Sequence, residues 1–128
     1  MKYLTLILLF IGSIGFAQTD SANAPVFKFE KTVIDYGTLK QGSDGNRIFV
    51  FTNVGKAPII INSVSSSCGC TIPKKPLAPI MPGEKGEIEV HYDTNRVGPF
   101  QKNIYIYSNA KPNKVTVSIK GRVVKNLD

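Results

Sequence analysis

The chain contains 128 residues, 42% of them hydrophobic and 20% charged, with one histidine, two cysteines, no tryptophan and a formal net charge of +7. This composition indicates one folded domain and excludes a disordered or fibrous chain. The sequence lacks the G-x-S-x-G, G-x-x-x-x-G-K-[ST] and H-E-x-x-H motifs of several large enzyme classes, so we expect a protein that is not an enzyme.

Residues 1–17 have the features of a secretory signal peptide. The positively charged Lys2 precedes an apolar run over residues 4–11. The small residues Gly15 and Ala17 are those that signal peptidase requires for cleavage before Gln18. The run is too short to span the ~30 Å of hydrocarbon in a bilayer, and no cysteine follows the cleavage site to carry a lipid anchor. We therefore predict a periplasmic or secreted protein, cleaved between Ala17 and Gln18, with no transmembrane segment after cleavage.

The remainder of the chain divides into three parts. Residues 18–25 are small and polar and indicate a flexible leader, residues 26–125 form the predicted domain, and residues 126–128 are a short tail. Within the domain, turn residues separate segments that are rich in β-branched and aromatic residues. Seven strands are predicted, over residues 26–30, 32–36, 47–53, 58–64, 86–93, 100–108 and 114–124.

The alternation of apolar and polar residues indicates how these strands pack. Ile88, Val90 and Tyr92 share one face of their strand, so we expect that face to be buried and the opposite face to be exposed to solvent. Segments 48–51 and 59–61 are apolar on both faces, as expected of strands in the interior of a sheet. The pattern predicts an all-β fold, a two-sheet antiparallel Ig-like sandwich of about seven strands, with a small closed barrel as the alternative. The residues expected to line its core are Phe51, Ile61, Val90, Ile106 and Val117.

Cys68 and Cys70 lie together in one connection, directly after a predicted strand. A structural disulfide is the usual role of two cysteines in a secreted protein, but a three-residue loop contributes only ~1.6 kcal/mol on the chain-entropy model, against ~4.7 for a 100-residue loop. Residues i and i+2 of an extended strand lie ~6.6 Å apart, so a disulfide needs a turn, which Gly69 can supply, and would be strained and easily reduced. Three roles stay open for the pair: an inert disulfide or buried thiols, redox chemistry, and metal binding.

Two sets of side chains are of the types that bind metals. Cys68 and Cys70 suit Cu(I), which accepts few sulfur ligands, better than Zn²⁺, which normally takes four ligands. We expect no cofactor. If the cysteine pair does bind a metal, the expected metal is copper. The second set is a stripe along one strand, Glu87, Glu89, His91 and Asp93. Its members stand ~6.6–7 Å apart, which is too far to hold one ion, and they indicate a solvated outer face.

Positive charge is concentrated towards the C-terminus. Residues 18–93 contain eight Lys or Arg and eight Asp or Glu, whereas residues 94–128 contain seven basic residues and one acidic residue. Lys114, Lys120 and Arg122 share the outward parity of the last strand, which predicts a basic strip for an anionic ligand. Secretion and the lack of interleaved aromatic residues argue against nucleic acid. The expected partners are an unidentified envelope protein, an anionic glycan or lipid headgroups; solubility and protection of a sheet edge are the alternative roles of these cations.

Several short motifs occur in order along the domain. They are Asp35-Tyr36-Gly37-Thr38, Gly42, Phe-Val-Phe-Thr-Asn-Val-Gly at 49–55, Ser67-Cys68-Gly69-Cys70-Thr71, Pro82-Gly83, Tyr92-Asp93, Gly98-Pro99-Phe100, Ser108-Asn109 and Gly121. In these motifs, over about residues 27–124, the sequence resembles the bacterial family called domain of unknown function 1573. The resemblance implies an exported Ig-like domain, of a kind common in Bacteroidetes and similar to major sperm protein and ciliary Hydin-type domains. That family has no assigned activity.

Two functional hypotheses follow. The first is an exported, non-catalytic Ig-like binding or assembly module of the bacterial cell envelope, which the fold class and the lack of a catalytic constellation support. The second is a thiol-redox or copper(I)-handling protein that acts through Cys68-Gly69-Cys70. Replacing both cysteines with serine distinguishes the two, because only the second hypothesis requires the sulfur atoms.

Overall fold

The computed structural model describes residues 23–126. The predicted signal peptide (1–17), the start of the predicted leader (18–22) and residues 127–128 of the predicted tail lie outside the described residues. Within the described range the chain forms eight β-strands and no α-helix. None of its segments in that range is a helix long and apolar enough to cross a membrane. The strands are β1 (Phe27–Phe29), β2 (Val33–Lys40), β3 (Asn46–Asn53), β4 (Ile61–Ser66), β5 (Thr71–Lys74), β6 (Lys85–Tyr92), β7 (Gly98–Ser108) and β8 (Lys114–Val124).

The strands form two sheets of four, which confirms the predicted all-β sandwich. The first sheet has the order β1-β3-β6-β5, and the second sheet has the order β2-β8-β7-β4. The sandwich is not wholly antiparallel, since β2 runs parallel to β8. A parallel pair needs a long connection between its strands, and here most of the domain lies between β2 and β8 in sequence.

The structure differs from the predicted strands at β5 and at the start of β4. The short strand β5 was not predicted, because it is brief and contains Pro73, which cannot donate to a ladder; β5 tolerates the proline at the edge of the first sheet, where it pairs with β6 alone. The prediction that residues 59–61 lie in the interior of a sheet is wrong. Ile59 makes only an isolated bridge to Ile80, and β4 begins at Ile61 as the edge strand of the second sheet. Residues 48–51 do lie in an interior strand, β3.

The core lies between the two sheets and contains all five predicted core residues, each of which is buried. Phe51 packs against Phe27 and Phe29 of β1. A second aromatic cluster joins the sheets through Tyr36, Tyr92 and Phe100.

Tyr36 ties the second aromatic cluster to the loop between β2 and β3. Its hydroxyl donates a hydrogen bond to the Gly45 carbonyl at 2.9 Å, and the Arg47 guanidinium lies 4.2 Å from the centre of its ring. Burial raises the pKa of Tyr36 to about 12, although the positive charge of Arg47 opposes the shift. The phenol is therefore neutral at physiological pH and remains a hydrogen-bond donor.

Candidate functional site

The cysteine loop (residues 67–70) carries the chain from β4, at the edge of the second sheet, to β5, at the edge of the first sheet. Cys68 and Cys70 are joined by a disulfide with a Cα–Cα distance of 5.2 Å. Cys70 is buried and belongs to the core, whereas Cys68 is only partly buried against it. The sulfur atoms therefore occupy a corner of the sandwich where the chain changes sheets.

The turn within the cysteine loop does not depend on the conformational freedom of glycine. The Thr71 N–H donates to the Cys68 carbonyl at 3.2 Å, which closes the turn. Gly69 has no positive φ, and a Cβ atom placed on it would meet nothing within 4 Å. Gly69 does lie in the turn that brings the sulfur atoms together, as the sequence suggested, but a residue with a side chain can adopt the same backbone conformation.

Hydrogen bonds hold the cysteine loop to both sheets without involving the sulfur atoms. The Ser67 N–H donates to the Asn103 carbonyl at 3.0 Å, and the Asn103 N–H donates to Ser67 Oγ at 3.1 Å. On the other side, the Asp93 N–H donates to the Cys70 carbonyl at 2.9 Å. The loop conformation is thus defined by hydrogen bonds to β7 and to the residue after β6, in addition to the disulfide.

Replacing Cys68 and Cys70 together with serine is expected to lower the free energy of unfolding by no more than ~2 kcal/mol. The reason is that so short a loop restricts the unfolded chain little, and the hydrogen bonds of Ser67 and Asp93 remain. Denaturant unfolding of the wild type, the reduced wild type and the double variant measures the difference. A double variant that fails to fold would show instead that the disulfide is a structural requirement.

In the structure the two sets of possible metal ligands are a disulfide and a stripe of side chains along β6. In the disulfide neither cysteine sulfur is a thiolate, so copper(I) binding would first require reduction. Glu87, Glu89 and His91 are exposed on the outer face of β6, where His91 Nδ1 lies 2.8 Å from Asn46 Oδ1. No group of three potential ligands that could hold a metal ion occurs within residues 23–126.

Asp93, the last member of the predicted stripe, lies beyond β6 and is half-buried. Its carboxylate accepts a hydrogen bond from the Asn95 N–H at 3.0 Å, so it shapes the turn between β6 and β7. The prediction that the strand extends to residue 93 is wrong by one residue, and Asp93 has a local structural role.

The basic strip predicted from the sequence lies on the outer face of the second sheet. Lys114, Lys120 and Arg122 are all exposed on β8. Because β8 lies between β2 and β7, these cations do not protect a sheet edge, and that alternative role is wrong. The one ion pair in the described part of the chain joins Lys85 to Glu30, elsewhere on the surface. The three cations of the strip are therefore available to a ligand.

Two tyrosines of β7 lie beside the strip. Tyr107 pairs with Lys114 in the register of β7 and β8, and Tyr105 pairs with Thr116. The Lys114 ammonium is 4.7 Å from the centre of the Tyr105 ring and 6.0 Å from that of Tyr107. The expectation that no aromatic residues accompany the strip is wrong. We call Lys114, Lys120, Arg122, Tyr105 and Tyr107 the basic face.

Small polar side chains surround the basic face. Ser63 and Ser65 of β4 pair with Tyr107 and Tyr105, and both serines are exposed. Asp35 of β2 lies opposite Lys120 in the register, yet no ion pair forms between them. The surface is therefore an extended sheet face with two aromatic rings, hydroxyl groups and unpaired cations.

These features define the chain as an Ig-like β-sandwich, and solved structures share its fold. A protein of unknown function from Porphyromonas gingivalis W83 has a TM-score of 0.70 and 19% identity, covering 84% of this chain and 51% of that one. The ASH/PapD-like domain 7 of human CEP192 has a TM-score of 0.66 and 8% identity, covering 98% and 100%. A chaperone–tip adhesion subunit complex from Acinetobacter baumannii Csu pili has a TM-score of 0.56 and 12% identity, covering 77% and 57%.

The chain belongs to the family described as protein of unknown function DUF1573, whose model matches residues 27–123. This match confirms the resemblance carried by the sequence motifs. No curated protein gives a significant match. The chain spans about half the length of the Porphyromonas protein. At these low sequence identities the similar structures establish the fold alone.

Proposed function

We propose that this chain is an exported, non-catalytic binding module of the bacterial cell envelope, and that its basic face binds an anionic glycan. The observation that carries the proposal is the position of Lys114 beside Tyr105 and Tyr107 on an exposed sheet face. Aromatic rings offer a flat apolar surface to the C–H groups of a sugar ring. Lys120 and Arg122 extend the positive charge along β8 to carboxylate or sulfate groups of the same polymer.

The comparisons support a binding role in a coarser way. In the similar Acinetobacter structure a chaperone is in complex with a tip adhesion subunit, so a sandwich of this fold can present a surface to another molecule. An unidentified envelope protein thus remains the alternative partner for the domain. The exposed, unpaired cations favour an acidic ligand in either case.

Lys114→Glu combined with Lys120→Glu is expected to weaken binding to an anionic polysaccharide by roughly tenfold or more. Heparin serves as the probe, and its retention as a function of salt is the measurement. The matched control is Lys28→Glu with Lys56→Glu, which makes the same change in net charge at exposed sites away from the basic face. If both double variants lose affinity equally, general charge attraction accounts for the binding and the basic face does not.

The tyrosines distinguish a glycan from other polyanions. Tyr105→Ala with Tyr107→Ala should weaken binding to heparin while leaving binding to inorganic polyphosphate unchanged, because polyphosphate has no sugar ring to stack on an aromatic face. A variant that binds both polymers as the wild type does would contradict the glycan assignment. Single-stranded DNA serves as a further competitor, and preferential binding of DNA would overturn the proposal.

The export part of the proposal rests on the features of residues 1–17 and predicts a mature N-terminus at Gln18. Expression of the full chain in a bacterial host and measurement of the intact mass in the periplasmic or secreted fraction tests this prediction. The expected mass is that of residues 18–128. A protein found there with Met1 retained would contradict cleavage, and a protein found only in the cytoplasmic fraction would contradict the proposed localisation.

Thiol-redox chemistry is a second candidate function, favoured by the different burial of the two cysteines. Cys68 is only partly buried and Cys70 is buried, so Cys68 Sγ is the sulfur atom that a partner thiolate would attack. Attack there breaks the Cys68–Cys70 bond and forms a mixed disulfide with the partner. A second partner thiolate then releases Cys68, which leaves two reduced cysteines in this chain and a disulfide in the partner.

Titration with dithiols of known potential, followed by alkylation of free thiols, tests this second candidate. Readily reversible reduction at a moderate potential supports redox chemistry. For the copper alternative, the reduced protein should retain about one Cu(I) per chain through dialysis, and the double-serine variant should retain none. Cysteines inert to oxidant, reductant and copper would exclude both alternatives.

A further inference from the structure

A groove opens at one side of the sandwich, between the edge strands of the two sheets. It has a volume of about 380 Å³ and is lined by Asn62, Ser63 and Val64 on one side and by Pro73, Lys74, Lys75 and Leu77 on the other. β4 is the edge of the second sheet and β5 is the edge of the first sheet, so no further strand in the described part of the chain covers the gap. We call this feature the edge groove.

The floor of the edge groove is apolar because it reaches the side of the core. Val64 pairs with Ile106 and Pro73 pairs with Val90, and both of these partners are buried core residues. Leu77 stands at the rim with 96% of its surface exposed. A leucine left in water this completely gains nothing from folding, and its burial by a ligand would be favourable.

The charge of the edge groove is positive. Lys74 and Lys75 line it, and no carboxylate does. The Lys75 ammonium donates to the carbonyls of Asn62 at 3.0 Å and Ile61 at 3.4 Å, which places its charge across the groove. Lys74 lies opposite Glu89 in the register but forms no ion pair with it.

From these contacts we infer that the edge groove docks an extended segment of another protein, with apolar side chains that alternate with Asp or Glu. The apolar side chains fill the space between Val64, Pro73 and Leu77, and the carboxylates pair with the two lysines. Recognition is by side chains and not by addition of a strand at this point, because the carbonyls of Ile61 and Asn62 already accept hydrogen bonds from Lys75.

The edge groove is independent of the basic face. The basic face lies on the outer surface of the second sheet, whereas the groove lies at the side of the sandwich between the sheets. The groove contains none of the five residues of the basic face; Ser63, which pairs with Tyr107 and also lines the groove, lies between the two features and is not altered in any of the test variants. This inference does not depend on the proposed glycan binding, because peptide binding and glycan binding are tested with different probes and different variants.

Short extended peptides with Leu and Val at alternate positions test this inference. The intervening residues are all Glu in one peptide, all Ser in a second and all Lys in a third. The Glu peptide should bind roughly fivefold more tightly than the Ser peptide at low salt, and the Lys peptide should bind least. Amide chemical shifts of the folded chain should change at residues 62–64 and 73–77.

Two variants assign the binding to the edge groove. Leu77→Ser should weaken binding of all three peptides by roughly tenfold, and Lys74→Glu should remove the preference for Glu over Lys. Both residues are exposed, so the fold should be retained, which thermal unfolding checks. The matched control is Val54→Ser with Lys56→Glu, an exposed apolar residue and an exposed lysine outside the groove, which should bind as the wild type does.

Three results would overturn the inference. They are changes of amide chemical shift only outside the groove, equal affinity for the Glu and Lys peptides, and no saturable binding below about 1 mM. Sedimentation of the chain without peptide adds a further readout. If the wild type forms dimers that Leu77→Ser abolishes, the occupant of the groove is a second copy of this chain and not an acidic segment.

Discussion

Replacing Phe51 with Ala is expected to lower the free energy of unfolding by roughly 3–5 kcal/mol, a large part of the 5–15 kcal/mol typical of a domain. Phe51 is fully buried, and its ring centre lies 4.9 Å from that of Phe27 and 5.5 Å from that of Phe29. β1 has only three residues, pairs with β3 alone, and contributes the rings of Phe27 and Phe29 to the contact with Phe51. The substitution therefore leaves a cavity and also loosens β1 from the edge of the first sheet.

The outer face of β6 supplies the controls for Phe51→Ala. Glu89→Ala and His91→Ala should each change the free energy of unfolding by about 0.5 kcal/mol or less, because both side chains are exposed. Equilibrium unfolding in denaturant measures all three variants. If Glu89→Ala or His91→Ala proved more destabilising than Phe51→Ala, the assignment of inner and outer faces would be inverted.

Replacing Gly45 with Ala is expected to cost about 3 kcal/mol or more. A Cβ atom on Gly45 would overlap the Tyr92 carbonyl oxygen, so the backbone at Gly45 or at the end of β6 would have to move. The same region contains two hydrogen bonds to the Gly45 carbonyl, from the Tyr92 N–H at 3.0 Å and from the Tyr36 hydroxyl at 2.9 Å. Moving Gly45 away from Tyr92 would weaken both hydrogen bonds.

Gly69→Ala is the matched control for Gly45→Ala, since it makes the same chemical change where a Cβ atom meets nothing. It should alter the free energy of unfolding by about 0.5 kcal/mol or less, and the disulfide should still form. Thermal and denaturant unfolding of the two variants, with a thiol assay for Gly69→Ala, measure the difference. Equal destabilisation at the two positions would contradict the close approach of Gly45 to Tyr92.

The proposed ligand surfaces were only partly visible in the sequence. The parity of Lys114, Lys120 and Arg122 placed them on one exposed face of β8, because side chains alternate along any strand. Tyr105 and Tyr107 show the same alternation around the buried Ile106, which puts both rings on the outer face of β7. That alternation was the available clue, but which neighbouring strand the rings would lie beside is not a local property.

The sequence by itself determined the all-β class, the core residues and the outward faces, because burial in a strand follows the period of two that apolar residues such as Val90 and Val117 display. Only the tertiary structure decided which strands become neighbours. The pairing of β7 with β8 brings Lys114 to Tyr105, and the placement of β4 and β5 at the edges of different sheets creates the groove between Val64 and Pro73. Pairing depends on contacts between residues far apart in the chain, and these contacts are selected by the packing of the whole core and not by any local pattern.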